Sequence, residues 1–79
     1  MRVALFAQMR RDAGTSSWEL DLPAGSTLGK ALDTFYEAQP RLRGFRPSVL
    51  VAVGLEYAAA DQILREGDEI SLIPPVQGG

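Results

Sequence analysis

Residues 23–40, PAGSTLGKALDTFYEAQP, decide the fold, because the apolar period changes here. Leu28, Ala31, Leu32 and Phe35 follow the i, i+3, i+4, i+7 spacing of one helical face. Ser26 or Thr27 can cap the N-terminus by accepting a backbone N–H, and Pro40 stops the helix near Gln39. Gly29 inside it costs about 1 kcal/mol relative to alanine, which predicts a close packing contact at that point. On both sides of this helix the apolar residues fall into short, strand-like runs.

Upstream, RVALFAQ (residues 2–8) reads as a strand, with Val3, Leu5 and Ala7 toward one side and Ala4 and Phe6 toward the other. MRRDAGTSS (residues 9–17) contains Gly14 and small polar residues and reads as a turn. WELDL (residues 18–22) alternates again, with Trp18, Leu20 and Leu22 on one face and Glu19 and Asp21 toward water. Trp18 is expected to be core or half-buried cover. Downstream, RLRGFRPS (residues 41–48) reads as a solvated loop carrying three arginines. VLVAVG (residues 49–54) is short and continuously apolar, as expected of a strand inside a sheet. EYAAADQIL (residues 56–64) suggests an edge strand around Tyr57, then a turn of helix at residues 61–64. REGDEISLIP (residues 65–74) gives a turn at residues 66–68 and a last strand, with Ile70 and Leu72 on one face and Ile73 on the other.

The expected order is β-β-α-β-β-β, an α+β chain with a mixed sheet of about five strands and one main helix packed on one face. That is the β-grasp, or ubiquitin-like, arrangement. A ferredoxin-like fold would need a second full helix, for which residues 55–65 are too short. The expected division is a β-grasp domain over residues 1–73 and an extended tail over residues 74–79.

Composition narrows the function. A net charge of −2 offers no basic face of the kind nucleic acids require. No apolar run approaches membrane-spanning length, and VALFA (residues 3–7) is too short for a signal segment, so a cytoplasmic protein is expected. The 79 residues contain neither Cys nor His, which removes thiol nucleophiles, imidazole bases and the usual zinc ligands. Thr15, Ser16 and Ser17 lack a base, and the lone lysine, Lys30, falls in the helix. Asp68 and Glu69 are adjacent and would point to opposite sides of a strand, which suits a turn better than an acid–base dyad. No metal site and no catalysis by this chain alone are expected.

The remaining feature is PPVQGG (residues 74–79). Pro74 and Pro75 stiffen the exit from the last strand, and Gly78 and Gly79 carry no Cβ, so backbone there can approach a partner closely. At average glycine usage such a pair would arise at a given place about once in 200 chains.

FAQMRRDAGT (residues 6–15) and LREGDEISLIPPVQGG (residues 64–79) resemble the MoaD family, the small sulfur-carrying subunits of molybdopterin synthase within the ubiquitin-like/ThiS superfamily. The similarity runs over essentially the whole chain, and its most specific part is GDE, an apolar strand, PPV and GG in that order. Gly54 departs from the pattern, since many relatives carry asparagine at that turn. The resemblance implies a carrier. A MoeB-like or ubiquitin-activating-type partner would use ATP to adenylate the Gly79 carboxylate, and a sulfur donor would convert it to a thiocarboxylate. No cofactor would be held permanently. The tail (Pro74, Pro75, Val76, Gly78, Gly79) would enter a MoaE-like large subunit of a heterotetramer and give sulfur to cyclic pyranopterin monophosphate, building the molybdopterin dithiolene. Phe6, Tyr57 and Ile73 would contact partners from the sheet face that the helix leaves open, and Arg10 would face acidic groups. Two alternatives stand beside this: a carrier for thiazole synthesis or tRNA thiolation, and a ubiquitin-like interaction module with an idle terminus. The thiazole carriers lack the PPV lead-in.

Overall fold

Alternation in the strands and a 3.6-residue period in the helix generate two layers, a five-stranded sheet and the helix that covers one of its faces. The computed structural model describes residues 1–75. Its elements are β1 (Arg2–Leu5), α1 (Ala7–Ala13), β2 (Ser17–Glu19), α2 (Leu28–Ala38), a 3-10 helix (Pro40–Phe45), β3 (Leu50–Val53), β4 (Glu56–Tyr57) and β5 (Glu69–Ile73). The strand order is β2-β1-β5-β3-β4, with β1 and β5 parallel and every other pair antiparallel. This is the β-grasp arrangement expected from the sequence.

The helix expected over residues 23–40 is α2. Thr27 caps it, its hydroxyl oxygen accepting from the Lys30 N–H at 3.2 Å, and Leu28, Ala31, Leu32, Phe35 and Tyr36 are buried. The first N–H groups of a helix lack intrahelical partners; here backbone carbonyls supply them. Leu28 N donates to Gln62 O and Gly29 N to Ala60 O, each at 2.8 Å. Gly29 is where the segment crosses: a Cβ there would lie 3.3 Å from the Ala60 carbonyl oxygen, so the anticipated close contact is present. Against α2, the sheet contributes Val3, Leu5, Ile70 and Leu72 to a core completed by Met9, Leu20, Leu42 and Leu64. Fully burying such side chains stabilises by roughly 1.5–3 kcal/mol each.

Several local expectations require correction. Residues 9–17 are not simply a turn, since α1 occupies most of them: Met9 anchors it in the core, and Gly14 ends it at φ +74, the left-handed position that glycine tolerates best. β1 therefore stops at Leu5, and Ala7, expected to share the face of Val3 and Leu5, is the exposed elbow into α1 at φ +51. Residues 41–48 are not a plain loop, because Pro40–Phe45 forms a 3-10 helix pinned by buried Leu42. Residues 61–64 make no helical turn; Ile63 instead forms an isolated antiparallel bridge with Thr27. Leu20 and Leu22 lie past the end of β2, although Leu20 is buried as expected.

Turn chemistry supports the rest. Gly54 sits at φ +62 in the β3–β4 turn, a conformation that asparagine also reaches, so the departure from the family pattern is conformationally neutral. At the turn before β5, Asp68 Oδ2 accepts from Arg65 N at 2.7 Å.

Candidate functional site

The sheet register sorts its residues into two faces. Val3, Trp18, Ile70 and Val53 form one row, and their pairing puts them on the side that α2 covers. The neighbouring row, on the opposite side, runs Ser17, Ala4, Ser71, Ala52, Tyr57 across all five strands. Its side chains on the first four strands are small and form a shallow floor, with Tyr57, 73% exposed, at the β4 edge.

One end of this open face is charged and the other apolar. Arg2, Glu19 and Glu69 pair in one row, with ion pairs of 3.5 Å (Arg2–Glu19) and 3.9 Å (Arg2–Glu69). At the other end Ile73 pairs with Leu50. Phe6 follows Leu5 with extended backbone (φ −127, ψ 158), so its side chain takes the face opposite Leu5, beside that pair. Phe6 is 43% and Leu50 49% exposed, values at which large apolar side chains stand out on a surface.

This apolar end is where β5 hands over to the tail. Pro74 is buried and Pro75 exposed. On the side of α1, both prolines line a groove of about 330 Å3 together with Ala7, Gln8, Arg11, Phe45 and Ser48. The root of the tail thus leaves the central strand between an apolar patch and a groove.

Of the residues singled out from sequence, Phe6, Ile73, Pro74 and Pro75 are brought to this end of the molecule. Tyr57 shares their sheet face but lies at its far edge. Arg10 is exposed in the last turn of α1, off the open face. Val76, Gly78 and Gly79 lie outside the described residues. Sequence reasoning overlooked Leu50, the cross-strand partner of Ile73. Its signal was present, since a strand apolar on both faces leaves one apolar set facing away from the core. Gln8, Phe45 and Ser48 were also missed, because the groove exists only once α1 and the 3-10 helix pack together.

Among the described residues no cluster of three or more acidic side chains is arranged to hold a metal ion. Asp68 is held by the Arg65 N–H while Glu69 faces Arg2, so the two adjacent carboxylates do not act together. Burial pushes the Tyr36 phenol above its ordinary value of 10.0, while the positive charge of Arg46 partly opposes the rise. The Arg46 guanidinium lies 5.4 Å from the Tyr36 ring centroid and bonds Asp33 at 2.7 Å.

Comparison with known proteins fits this geometry. A family model described as the ThiS family matches residues 3–79. A molybdopterin synthase sulfur carrier subunit of Arabidopsis thaliana is 37% identical over 79 residues, covering 100% of this chain and 82% of the relative. Small archaeal modifier protein 1 of Haloferax volcanii is 32% identical, with both chains covered fully. Among solved structures, the crystal structure of SAMP1 from Haloferax volcanii superposes with a TM-score of 0.88 at 32% identity, covering 99% of this chain and 97% of that one.

Proposed function

Since the chain belongs to the ThiS family, we propose that it is the sulfur carrier of molybdopterin synthesis, donating from a thiocarboxylate at Gly79. A carboxylate is a poor acylating group until its oxygen becomes a good leaving group, so activation requires an external nucleotide. An adenylating partner of the MoeB or ubiquitin-activating type condenses the Gly79 carboxylate with ATP, releasing pyrophosphate and leaving an acyl-adenylate. Attack by a sulfur donor at the acyl carbon expels AMP. The resulting thiocarboxylate enters the large synthase subunit, its sulfur replaces an oxygen at a carbon of cyclic pyranopterin monophosphate, and water cleaves the acyl–sulfur bond to return the Gly79 carboxylate. The chain's own side chains do no chemistry; they present the tail.

The observation that carries this reading is the position of the tail root. It leaves the central strand beside an exposed apolar patch of Phe6, Leu50 and Ile73, on a chain with no thiol or imidazole of its own. A partner can grip the patch while the tail reaches a buried centre. Gly78 and Gly79 keep the reacting end slim, and Pro74 and Pro75 lower the entropy lost on threading.

Intact mass spectrometry after incubation with activating enzyme, ATP and sulfur donor tests it. One oxygen should be replaced by sulfur at the last residue. Sulfur elsewhere, or none under conditions that load another carrier, sinks the reading. Gly78→Val should leave folding and docking intact but stop delivery, because a β-branched side chain disfavours positive φ and adds bulk.

A second reading has support in the likeness to small archaeal modifier protein 1. The same activated terminus could acylate amines of other proteins. Supplying thiocarboxylated carrier with the large subunit and pterin substrate, and separately carrier with activating enzyme, ATP and lysine-rich protein, distinguishes the two by product.

A further inference from the structure

Amines are scarce on this chain. Of its eight cationic side chains one is a lysine, Lys30, and the other seven are arginines, whose always-charged guanidinium is a poor nucleophile. The α-amine of Met1 is turned inward: it donates to Leu20 O at 3.0 Å and lies 3.8 Å from the Glu19 carboxylate. Lys30 is the exposed amine that remains.

Lys30 stands in the first turn of α2 and lines a recess of about 370 Å3 between α2 and the 3-10 helix. Asp33, Tyr36, Glu37, Arg43 and Arg46 complete its walls. Lys30, Asp33 and Glu37 follow one another at three- and four-residue spacing, so they share one flank of α2. Asp33 is engaged by Arg46 at 2.7 Å. Lys30, Glu37 and Arg43 make no ion pair among the described residues, which leaves an amine, a carboxylate and a guanidinium uncommitted around one hollow. Tyr36, which lines the same hollow, has a buried hydroxyl with no hydrogen-bond partner among the described residues. Solvation of an exposed flank explains that these residues are charged. It leaves the hollow and its three uncommitted groups without a role.

We propose that this recess is an acylation site, at which Lys30 takes the activated Gly79 of a second copy of the chain and the two become joined by an isopeptide bond. The inference rests on the activation of Gly79, which the carrier and modifier readings share. An acyl-adenylate offers an electrophilic carbon and an anionic phosphate. Arg43 receives the phosphate. Lys30 gives its extra proton to solvent, and the freed lone pair attacks the acyl carbon. The C–N bond forms, the bond from that carbon to the phosphate oxygen breaks, and AMP leaves with the electron pair. Attack makes the nitrogen cationic and acidic; Glu37 takes that proton and passes it to water. Gly78 and Gly79 of the donor bring no side chain into the recess. Topology makes the donor a second copy. β2 runs antiparallel to β1 and β1 parallel to β5, so α2 follows from the pole where β5 starts, and the tail leaves from the other. The five residues of β5 cover about 16 Å. A tail of six residues reaches about 20 Å at full stretch, and its own terminus would have to double back along the strand and round the domain to α2.

Incubation of the full chain with the activating enzyme from the same organism and ATP, without sulfur donor, tests it. Since a linked pair keeps one free terminus and one free Lys30, the wild type should give a ladder of covalent dimer and higher species on denaturing gels. Trypsin should release residues 12–41, uncut after Lys30, carrying residues 66–79 as a branch. Lys30→Arg keeps the charge and should abolish the ladder while pyrophosphate is still released. Glu37→Gln and Arg43→Ser should each slow the ladder by about tenfold or more at unchanged adenylation. Thermal unfolding verifies that every variant is folded. Full rates in both of these variants overturn the part given to the recess. A branch at any residue other than Lys30, a monomer lighter by one water, or no ladder from a chain that is adenylated overturns the inference and leaves the activation of Gly79 standing. No pyrophosphate release from the wild type overturns both.

Discussion

The two faces of one sheet make opposite use of the same strands. In β5, Ile70 and Leu72 point under α2 and are fully buried, while Ser71 and Ile73 point the other way and are half-covered. In β3 the pattern is shared less cleanly: Val51 and Val53 pack against the core, and Leu50 stands out on the open side. On the covered face, apolar side chains run the length of the strands. On the open face, small residues occupy the middle, Tyr57 stands at the far edge, and Phe6, Leu50 and Ile73 gather where the tail leaves. Folding accounts for the first distribution. The second adds nothing to the core, and under the proposed function its placement beside the tail root serves partner binding.

Substitutions at matched positions can break this contrast. Leu72→Ala, on the covered face, should destabilise the domain by about 2–5 kcal/mol through lost burial and a residual cavity. Urea unfolding measures it, and a loss under about 1 kcal/mol would show that the core is not where the register places it. Phe6→Arg, on the open face, should change stability by less than about 1 kcal/mol yet weaken partner binding by about 2 kcal/mol or more, near thirtyfold. Calorimetric titration against the large subunit, paired with thermal unfolding, separates the two effects. Full-strength binding by a folded Phe6→Arg protein would remove the functional meaning of the patch.

The covered side has one polar flaw that sharpens the comparison. The Tyr36 hydroxyl is buried without a hydrogen-bond partner among the described residues. Tyr36→Phe should therefore stabilise by about 1 kcal/mol while keeping the ring under Arg46. The pH dependence has a definite sign. A folded-state phenol held above 10.0 keeps its proton where the unfolded chain loses it, so its contribution is complete below pH 10 and is lost as pH rises through the folded value. Denaturation midpoints at pH 8 and pH 10.5 should fall further for the wild type than for Tyr36→Phe. Parallel falls would mean that the phenol ionises freely in the fold.

The smallest effect concerns the elbow that keeps Phe6 outside. Ala7 adopts φ +51, a region costly to residues with a Cβ. Ala7→Gly should raise stability by about 0.5–1 kcal/mol, with little change in partner affinity. A loss of stability would show that the methyl group's contacts outweigh the strain.

What the sequence revealed follows from which signals are local. The α2 spacing, a cap at one of Ser26 or Thr27 (it is Thr27) and the parity of Ile70, Leu72 and Ile73 depend on neighbours a few residues away, and each is found as expected. The α1 helix was obscured because seven residues span two turns and only Met9 is buried, too little to display a period. Gln8, Met9, Arg10 and Arg11 are good helix formers and Gly14 a good terminator, so composition held a signal that periodicity did not. Pro40 was read as a stop when it is also the start of the 3-10 helix. Residues 61–64 bridge Thr27, far away in sequence, and no local rule reports such a contact. Phe6 and Ile73 were legible by parity. Leu50 and the groove depend on register and on packing between α1 and the 3-10 helix.

The position of β5 has a consequence for how the protein is made. The last strand in sequence is the middle strand of the sheet, with β1 on one side and β3 on the other. While the ribosome is still working, β1 and β2 can form only a two-stranded ribbon, which is marginal in water. The β1–β5 pairing joins the two ends of the domain, a contact order that slows folding. A product truncated before residue 69 leaves its other strands without a centre, and its exposed apolar surface marks it for proteolysis. Chains that stop short of β5 therefore cannot persist as folded decoys that block a partner while carrying no tail. Acquiring a fold certifies that synthesis has passed Ile73.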